Sequence, residues 1–330
     1  MEKVVVQNLW NGDEEAQIQA AMELSGLCSK QRHNLAESGI MVPLVSMLYS
    51  ENYEAVEASL CALVSIAFGS ERNKIRIIKS GTLPVLLSLL HCQSQTVVQL
   101  TIAAMLTLSS CKANKIAIAS SGAVQFLVEF VNSSMNSTQS QLDAIATLHN
   151  LTTCQQIVPL IVSSGVTISL LELIHSSVKS SSLVEKAIGL LENVVSSSES
   201  ALCEAASTSG AIQILVETIE DGSSLGKEHA VSILLLICQS CREKYRGLIL
   251  TEGVMPGLLQ LSVDGTRRAK SMARELLLLL RDGASNYSSR GRQINHDLIE
   301  RIMEEIDAEG EKLADTTLRL VEEMIAKLNT

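Results

Sequence analysis

Apolar residues recur three and four positions apart in five separate segments, the spacing that places side chains on one face of an α-helix. Alanines alternate with leucine, isoleucine and valine there, so that neighbouring helices can approach closely. A stripe this wide needs another helix to cover it, and we expect the five helices to pack against one another. The segments cover residues 58–67, 101–109, 144–152, 187–195 and 230–238.

Six glycines, spaced 41 to 45 residues apart, separate shorter helical runs between these long helices. Glycine tolerates a positive φ, so one helix can end and the next can begin within a tight turn. Pro43, Pro84 and Pro256 come shortly after such glycines, near the start of a helix, where proline is tolerated. Each repeat is therefore predicted as short helix, glycine turn, medium helix, loop and long helix. The glycines are Gly39, Gly81, Gly122, Gly165, Gly210 and Gly253.

This period is typical of armadillo repeats. We predict an all-α fold over residues 1–282, a right-handed armadillo-repeat α-solenoid of about six repeats with an N-terminal half-unit. Residues 283–292, rich in Gly, Ser and Arg, are predicted to be a flexible linker. Residues 293–330 are predicted to form an acidic amphipathic helical tail. The apolar face of that tail is expected either to cap the last repeat or to bind another chain, for example as a dimer.

Composition narrows the choice of partner. Hydrophobic residues make up 46% of the chain but aromatic residues only 2%, and the net charge is −10. Nucleic acid is not an expected partner, because phosphate binding needs a basic surface. The chain has neither 18 consecutive apolar residues nor an apolar signal segment, so we expect no membrane span. We expect the eight cysteines to be reduced and the protein to lie in the cytoplasm, the nucleus or both.

The sequence offers no convincing catalytic, cofactor-binding or metal-binding residues. Cys238 and Cys241 form a C-x-x-C pair, but no second pair stands at metal spacing, and two structural cysteines are the better interpretation. The run from Gly222 to Lys227 lacks the spacing and the Ser/Thr of a phosphate-binding loop. The six histidines are scattered singly. We therefore predict that the protein is not an enzyme and has no cofactor.

The long helices are expected to line the concave face of the stack, and aligning them places several acidic and amide side chains on that face. We predict that these residues bind a partner, such as a basic segment or a domain, because a concave surface focuses an electrostatic field. The alternative is an ordinary solvated face. Glu185 and Glu228 are expected to be exposed. The predicted groove residues are Glu57, Gln99, Asn150, Glu185, Glu192, Asn193 and Glu228.

The opening residues 4–48 resemble the start of the armadillo region of plant U-box E3 ubiquitin ligases and of relatives without the U-box. The likeness rests on Gly12 and Asp13, on the run from Ala21 to Leu24, on the serine-glycine turns and on residues 265–281. Importin-like and catenin-like armadillo proteins are a poorer match. Their groove is rich in tryptophan and asparagine, whereas only Asn150 and Asn193 occupy the asparagine positions here.

This resemblance implies an adaptor whose repeats dock a target protein or a regulatory kinase. The leading prediction is a non-catalytic protein-interaction scaffold that binds partners through the concave surface. The alternative is the substrate-docking or kinase-docking arm of a U-box-type ligase whose catalytic domain is absent from this chain. Because the repeats begin close to Met1, we expect that the 330-residue chain cannot transfer ubiquitin by itself.

Overall fold

The computed structural model describes residues 2–132 and 137–281, which form α-helices with one short 3₁₀ turn and no strands. The chain divides into two compact units, Met1–Ser169 and Leu170–Thr330. The predicted linker and tail, residues 283–292 and 293–330, lie outside the described residues.

The first unit contains twelve helices and the beginning of a thirteenth, α13, which continues across the division. These are α1 (Glu2–Asn11), α2 (Glu14–Ser25), α3 (Ser29–Glu37), α4 (Met41–Met47), α5 (Tyr53–Ala67), α6 (Glu71–Lys79), α7 (Thr82–Leu89), α8 (Gln95–Ser109), α9 (Lys115–Ser120), α10 (Ala123–Val131), α11 (Thr138–Thr152), α12 (Val158–Ser163) and α13 (Val166–Ser176). The 3₁₀ turn Lys112–Asn114 leads directly into α9.

The described part of the second unit continues with seven helices after α13. These are α14 (Ser182–Ser197), α15 (Glu199–Ser207), α16 (Ala211–Asp221), α17 (Ser224–Ser240), α18 (Arg242–Thr251), α19 (Met255–Asp264) and α20 (Arg267–Leu280). After the leading pair α1 and α2, the helices follow one another along the chain as six triplets. The prediction of three helices per repeat with the longest one last is confirmed. The second helix is longer than the first only in the triplets that begin with α9, α12 and α15, whereas α4 and α7 are shorter than the helices before them and α18 and α19 are equal in length.

All six predicted turn glycines adopt a positive φ, between 75° and 94°. A Cβ atom built on any of them would meet nothing within 4 Å, so the turns have room for a side chain. Backbone conformation is therefore the reason for glycine, because other residues are strained in the left-handed region.

Each long helix begins at a residue whose side chain caps the first turn. The Ser94, Ser137 and Ser181 hydroxyls accept hydrogen bonds from backbone N–H groups three residues further on, and Asn52 and Thr266 act similarly. These caps satisfy N–H groups that have no partner inside the helix. They fix where the helix starts, and thereby which residues its apolar stripe contains.

The core of each unit lies between consecutive long helices. In the first unit α2 packs on α5, α5 on α8 and α8 on α11. In the second unit α14 packs on α17 and α17 on α20. Leu60, Ile102, Leu148 and Leu191 are among the fully buried side chains. All five ladder segments are confirmed as parts of long helices that bury their stripe on neighbours.

A basic residue seven positions before the turn glycine reaches the C-terminal end of the long helix that completes the same repeat. Arg32 Nη1 donates to the Ser65 carbonyl (2.9 Å), and Arg246 Nε donates to the Leu280 carbonyl (2.8 Å). Lys74 and Lys115 similarly reach the hydroxyls of Ser110 and Thr153, the C-caps of α8 and α11. A cation is favourable there because the last carbonyls of a helix carry partial negative charge.

We predict that Arg32→Met lowers the free energy of unfolding by about 1–2 kcal/mol, because the end of α5 loses a charge-assisted hydrogen bond. Lys30→Met is the matched control, since Lys30 is exposed on the same helix; its effect should stay below about 0.5 kcal/mol. Chemical denaturation followed by circular dichroism measures both. Equal effects would show that Arg32 adds no more than an ordinary surface charge.

Candidate functional site

The predicted groove residues all lie on long helices but in two separate units. Glu57, Gln99 and Asn150 belong to α5, α8 and α11 of the first unit. The second unit holds the other four on two neighbouring helices, Glu185, Glu192 and Asn193 on α14 and Glu228 on α17.

In the first unit the three residues have different surroundings. Glu57 is half-buried and Gln99 is exposed. Asn150 Nδ2 donates to Ser109 Oγ (3.1 Å), so this amide joins α11 to α8. Gln99 also lines a surface cavity of about 330 Å³ whose apolar wall includes Phe126 and Phe130. This cavity could accept an apolar side chain, and the sequence analysis did not predict it.

Glu192 is the centre of a polar network in the second unit. Although it was predicted as a groove residue, only 8% of the residue is exposed. Its Oε2 lies 2.5 Å from His229 Nδ1, and its Oε1 accepts a hydrogen bond of 2.5 Å from Ser232 Oγ. Both partners lie on α17, so the carboxylate connects two consecutive long helices.

The imidazole of His229 lies directly over Gly189 of α14. A Cβ atom at Gly189 would lie 3.2 Å from His229 Nε2, which is closer than a comfortable contact. Glycine at this position therefore makes room for the ring. In this way the helix α14 both supports His229 and supplies its carboxylate partner.

Arg268 of α20 extends the network to a third long helix. Its Nη2 donates to Glu192 Oε1, and its Nη1 lies 3.1 Å from Glu228 Oε1. The Arg268 side chain is 53% exposed, whereas the side chains of Glu192 and Glu228 are only 11% and 12% exposed. The guanidinium therefore covers two acidic side chains that would otherwise face solvent.

Glu185 and Glu228 each accept a hydrogen bond from the N-cap residue of the next long helix. Ser223 Oγ, the N-cap of α17, donates to Glu185 Oε2 (2.7 Å), and Thr266, the N-cap of α20, bonds to Glu228. The expectation that both glutamates are exposed was wrong, because their side chains are 21% and 12% exposed. Each carboxylate accepts a hydrogen bond from a hydroxyl of the following repeat and is thereby shielded from solvent.

The hydrogen bonds in this network govern the charge states of its members. Burial acts to raise the pKa of Glu192, but bonds from His229, Ser232 and Arg268 outweigh it, and the pKa lies below its ordinary value. The Ser223 hydroxyl is the main cause of the lowered pKa of Glu185. Burial acts to lower the pKa of Arg268, but the carboxylates of Glu192 and Glu228 outweigh this effect and raise the pKa above its ordinary value. The neighbours of Glu185, Glu192 and Arg268 therefore stabilise the ionised forms of these three side chains.

Sequence reasoning missed Arg268, His229, Ser232 and Thr266. A signal for Thr266 exists, because it follows Glu228 by 38 residues, just as Ser223 follows Glu185 by 38 residues. For Arg268 no comparable signal exists, since it bonds to a residue 76 positions away.

Other chemistry is scarce in the described part of the chain. Among those residues no group of His, Cys, Asp and Glu side chains could hold a metal ion. All eight cysteines are unpaired, with Cys238 buried and Cys241 exposed. None of the described helices is long and apolar enough to cross a membrane alone; α8 with the bent segment Lys112–Ser120 meets the criteria of length and composition only.

We predict that Glu192→Gln removes stability in a pH-dependent way. The folded pKa of Glu192 lies below its ordinary value of 4.5, so its ionised form stabilises the fold fully above that pH. This contribution is lost as the pH falls through the folded pKa. The free energy of unfolding of the wild type should therefore exceed that of the variant by about 2 kcal/mol at neutral pH. This difference should become smaller in acid.

Denaturant unfolding at neutral pH and at about pH 3 measures this gap. Glu252→Gln, at an exposed position of the same unit, is the control and should show little change at either pH. A gap that is independent of pH would contradict the role given to the Glu192 charge.

Comparison with known proteins agrees with the observed helix triplets. The family model for the plant U-box protein ARM repeat region matches residues 113–291, and that for the armadillo/β-catenin-like repeat matches residues 28–68. U-box domain-containing protein 45 of Arabidopsis thaliana is 30% identical over 255 residues, which cover 75% of this chain and 32% of the relative. The chain thus spans about a third of that relative's length.

Solved structures show the same fold at low sequence identity. An engineered protein gives a TM-score of 0.75 at 20% identity, covering 98% of this chain and 77% of its own. A designed armadillo repeat protein in complex with the peptide (KR)4 gives a TM-score of 0.59 at 20% identity, and the match covers 73% of this chain and 99% of the designed protein. The all-α armadillo solenoid is confirmed, and this fold family is non-enzymatic and serves as a protein-interaction scaffold. Because the first family model matches more than half of its residues, the chain belongs to the plant U-box protein armadillo-repeat family.

Proposed function

We propose that this scaffold binds an arginine-containing segment of a partner protein on the long-helix face formed by α14, α17 and α20. The observation that supports this is the pair of carboxylates, Glu192 and Glu228, that hold one guanidinium between them. That guanidinium belongs to Arg268 of the same chain. It shows which chemical group this part of the face accommodates.

Arg268 acts in this proposal as an internal competitor of the partner. Its side chain is half exposed while the two carboxylates beneath it are largely buried. An arginine of a partner can therefore take its place, leaving the carboxylates paired throughout the exchange. Such an exchange avoids the large penalty of uncovering a buried, unpaired carboxylate.

Two further observations favour an extended basic segment. Asn193 is half-buried on α14, next to Glu192, and carries an amide suited to a peptide backbone. The designed armadillo protein that shares this fold is in complex with (KR)4, a peptide of alternating lysine and arginine. In the first unit Glu57, Gln99 and Asn150 remain predicted contact residues of the partner.

We predict that Arg268→Gln strengthens binding of a fluorescent (KR)4 peptide by about fivefold, because removing a partly exposed competitor frees about 1 kcal/mol. Fluorescence anisotropy at several salt concentrations measures the affinity. Arg274→Gln, on the exposed side of α20, removes the same charge and should produce a smaller increase. Equal or weaker binding by Arg268→Gln would mean that Arg268 builds the surface and does not compete for it.

A second proposal concerns the pathway. The family and the Arabidopsis relative support a role as the target-docking or kinase-docking arm of a U-box-type ubiquitin ligase. In this role the repeats hold the target while a U-box domain recruits the ubiquitin-conjugating enzyme. Cytoplasm and nucleus are the compartments that fit such a role.

We predict that the purified 330-residue chain forms no ubiquitin conjugates when mixed with activating enzyme, charged conjugating enzyme and ubiquitin. The armadillo repeats dock proteins and supply no catalytic domain. Immunoblotting for ubiquitin detects conjugates, and an active U-box ligase in a parallel reaction controls for the reagents. Robust autoubiquitination would contradict the docking role.

A further inference from the structure

We propose that the chain has a second docking surface, on the short helices of the first unit, for an acidic segment of a partner protein. We call this surface the basic ridge and define it by Lys30, Arg72, Arg76, Lys79 and Lys112. It lies on different helices from the long-helix face and carries the opposite charge. The proposal is therefore independent of the function proposed above.

Charge in the first unit is separated by helix type. Residues 1–169 contain nine lysines and arginines, and eight of them fall on α3, on α6 or on the segment Lys112–Ser120. The same elements contain only two acidic residues, Glu37 and Glu71. The long helices α2, α5, α8 and α11 carry neither lysine nor arginine, and all of them except α8 carry acidic residues. The eight basic residues are Lys30, Arg32, Arg72, Lys74, Arg76, Lys79, Lys112 and Lys115.

The short helices lie side by side, so their charges form one surface. Glu37 of α3 accepts two hydrogen bonds from the guanidinium of Arg76 on α6, at 2.7 and 2.8 Å. Asn114, at the end of the 3₁₀ turn, donates through Nδ2 to the Lys74 carbonyl of α6 (3.1 Å). Three consecutive repeats therefore contribute to the ridge.

The eight basic residues have two different roles. Arg32, Lys74 and Lys115 reach the ends of long helices, as described above, and stabilise the stack. The remaining five define the ridge. Of these, Lys30, Lys79 and Lys112 are exposed, and the Arg72 side chain is 65% exposed. The charges of these side chains face solvent, where a partner can reach them.

The acidic residues of the ridge only partly offset its charge. Glu37 is bound by Arg76 and lies 3.3 Å from Arg72, which leaves one positive charge in excess on that cluster. Glu71 is exposed at the start of α6. The ridge as a whole is positive within a chain of net charge −10. A local surface of opposite sign orients an incoming acidic partner and speeds its association.

The dimensions and composition of the ridge favour a peptide segment as its occupant. The cations are confined to short helices, and the acidic residues of the long helices α2, α5 and α11 would repel the phosphates of a nucleic acid or an anionic bilayer. Two apolar side chains are also exposed among these elements. Phe68, just before α6, is 75% exposed, and Ile116, four residues after Lys112, is 53% exposed. The matching occupant is an acidic protein segment with interspersed apolar residues.

The test uses the full 330-residue chain and a fluorescein-labelled peptide of repeated Glu-Glu-Leu triplets. The ridge variant is Lys30→Glu, Lys79→Glu and Lys112→Glu together. The matched control is Lys244→Glu, Arg267→Glu and Arg274→Glu, three exposed positions of the second unit with the same change in net charge. We expect the ridge variant to bind about tenfold more weakly than the control variant, with the difference shrinking as salt rises.

A second measurement, the affinity of the ridge variant for (KR)4, distinguishes this proposal from the function proposed above. If the two surfaces are independent, the ridge variant should still bind (KR)4 while it binds the acidic peptide more weakly. Thermal melts by circular dichroism check folding, and Lys30→Gln, Lys79→Gln and Lys112→Gln together provide a milder variant that should also weaken binding. Equal losses in the ridge and control variants would overturn the proposal. So would failure of the wild type to bind the peptide, or tighter ridge-dependent binding to phosphatidylserine vesicles or single-stranded RNA.

Discussion

The aliphatic stripe of each long helix can be buried only against the long helix of the neighbouring repeat, and this constraint underlies the other features of the fold. A single helix triplet leaves too much apolar surface in water to fold alone. Packing α5 on α8 or α14 on α17 removes that surface but brings the polar ends of these helices into a crowded environment. The ends then require partners, because unpaired backbone groups away from water are costly.

The polar residues of the repeats meet this requirement at both ends of the long helices. At the C-terminal end, a cation seven positions before a turn glycine reaches a carbonyl or hydroxyl at the end of the long helix of its own repeat. At the N-terminal end, the capping hydroxyls of Ser223 and Thr266 bond to glutamates of the preceding long helix. The first kind of contact fixes helices within a repeat and the second fixes neighbouring repeats, and both are more directional than the hydrophobic stripe.

Local sequence signals predicted the fold well and the site only in part. The six turn glycines and the five ladders depend on backbone conformation and helical spacing, which neighbouring residues determine. The groove residues depend on contacts between repeats. Glu185 and Glu228 were correctly placed together on consecutive long helices, but their burial depends on hydroxyls 38 residues away. Arg268 could not be predicted, because its partners lie 40 and 76 residues before it on two different helices.

The network around Glu192 also limits how this array can change by duplication or loss of repeats. In an ideal repeat protein each unit contacts its neighbours identically, and units can be exchanged. Here three helices contribute different residues to one hydrogen-bonded network. The carboxylate comes from α14, a histidine and a serine come from α17, and an arginine comes from α20. Deleting the middle repeat would remove His229 and Ser232 from beside Glu192, and copying it would separate Glu192 from Arg268. Removing a partner of a buried carboxylate costs about 3–5 kcal/mol. The repeats that end in α14, α17 and α20 can therefore be exchanged without this cost only as a single block.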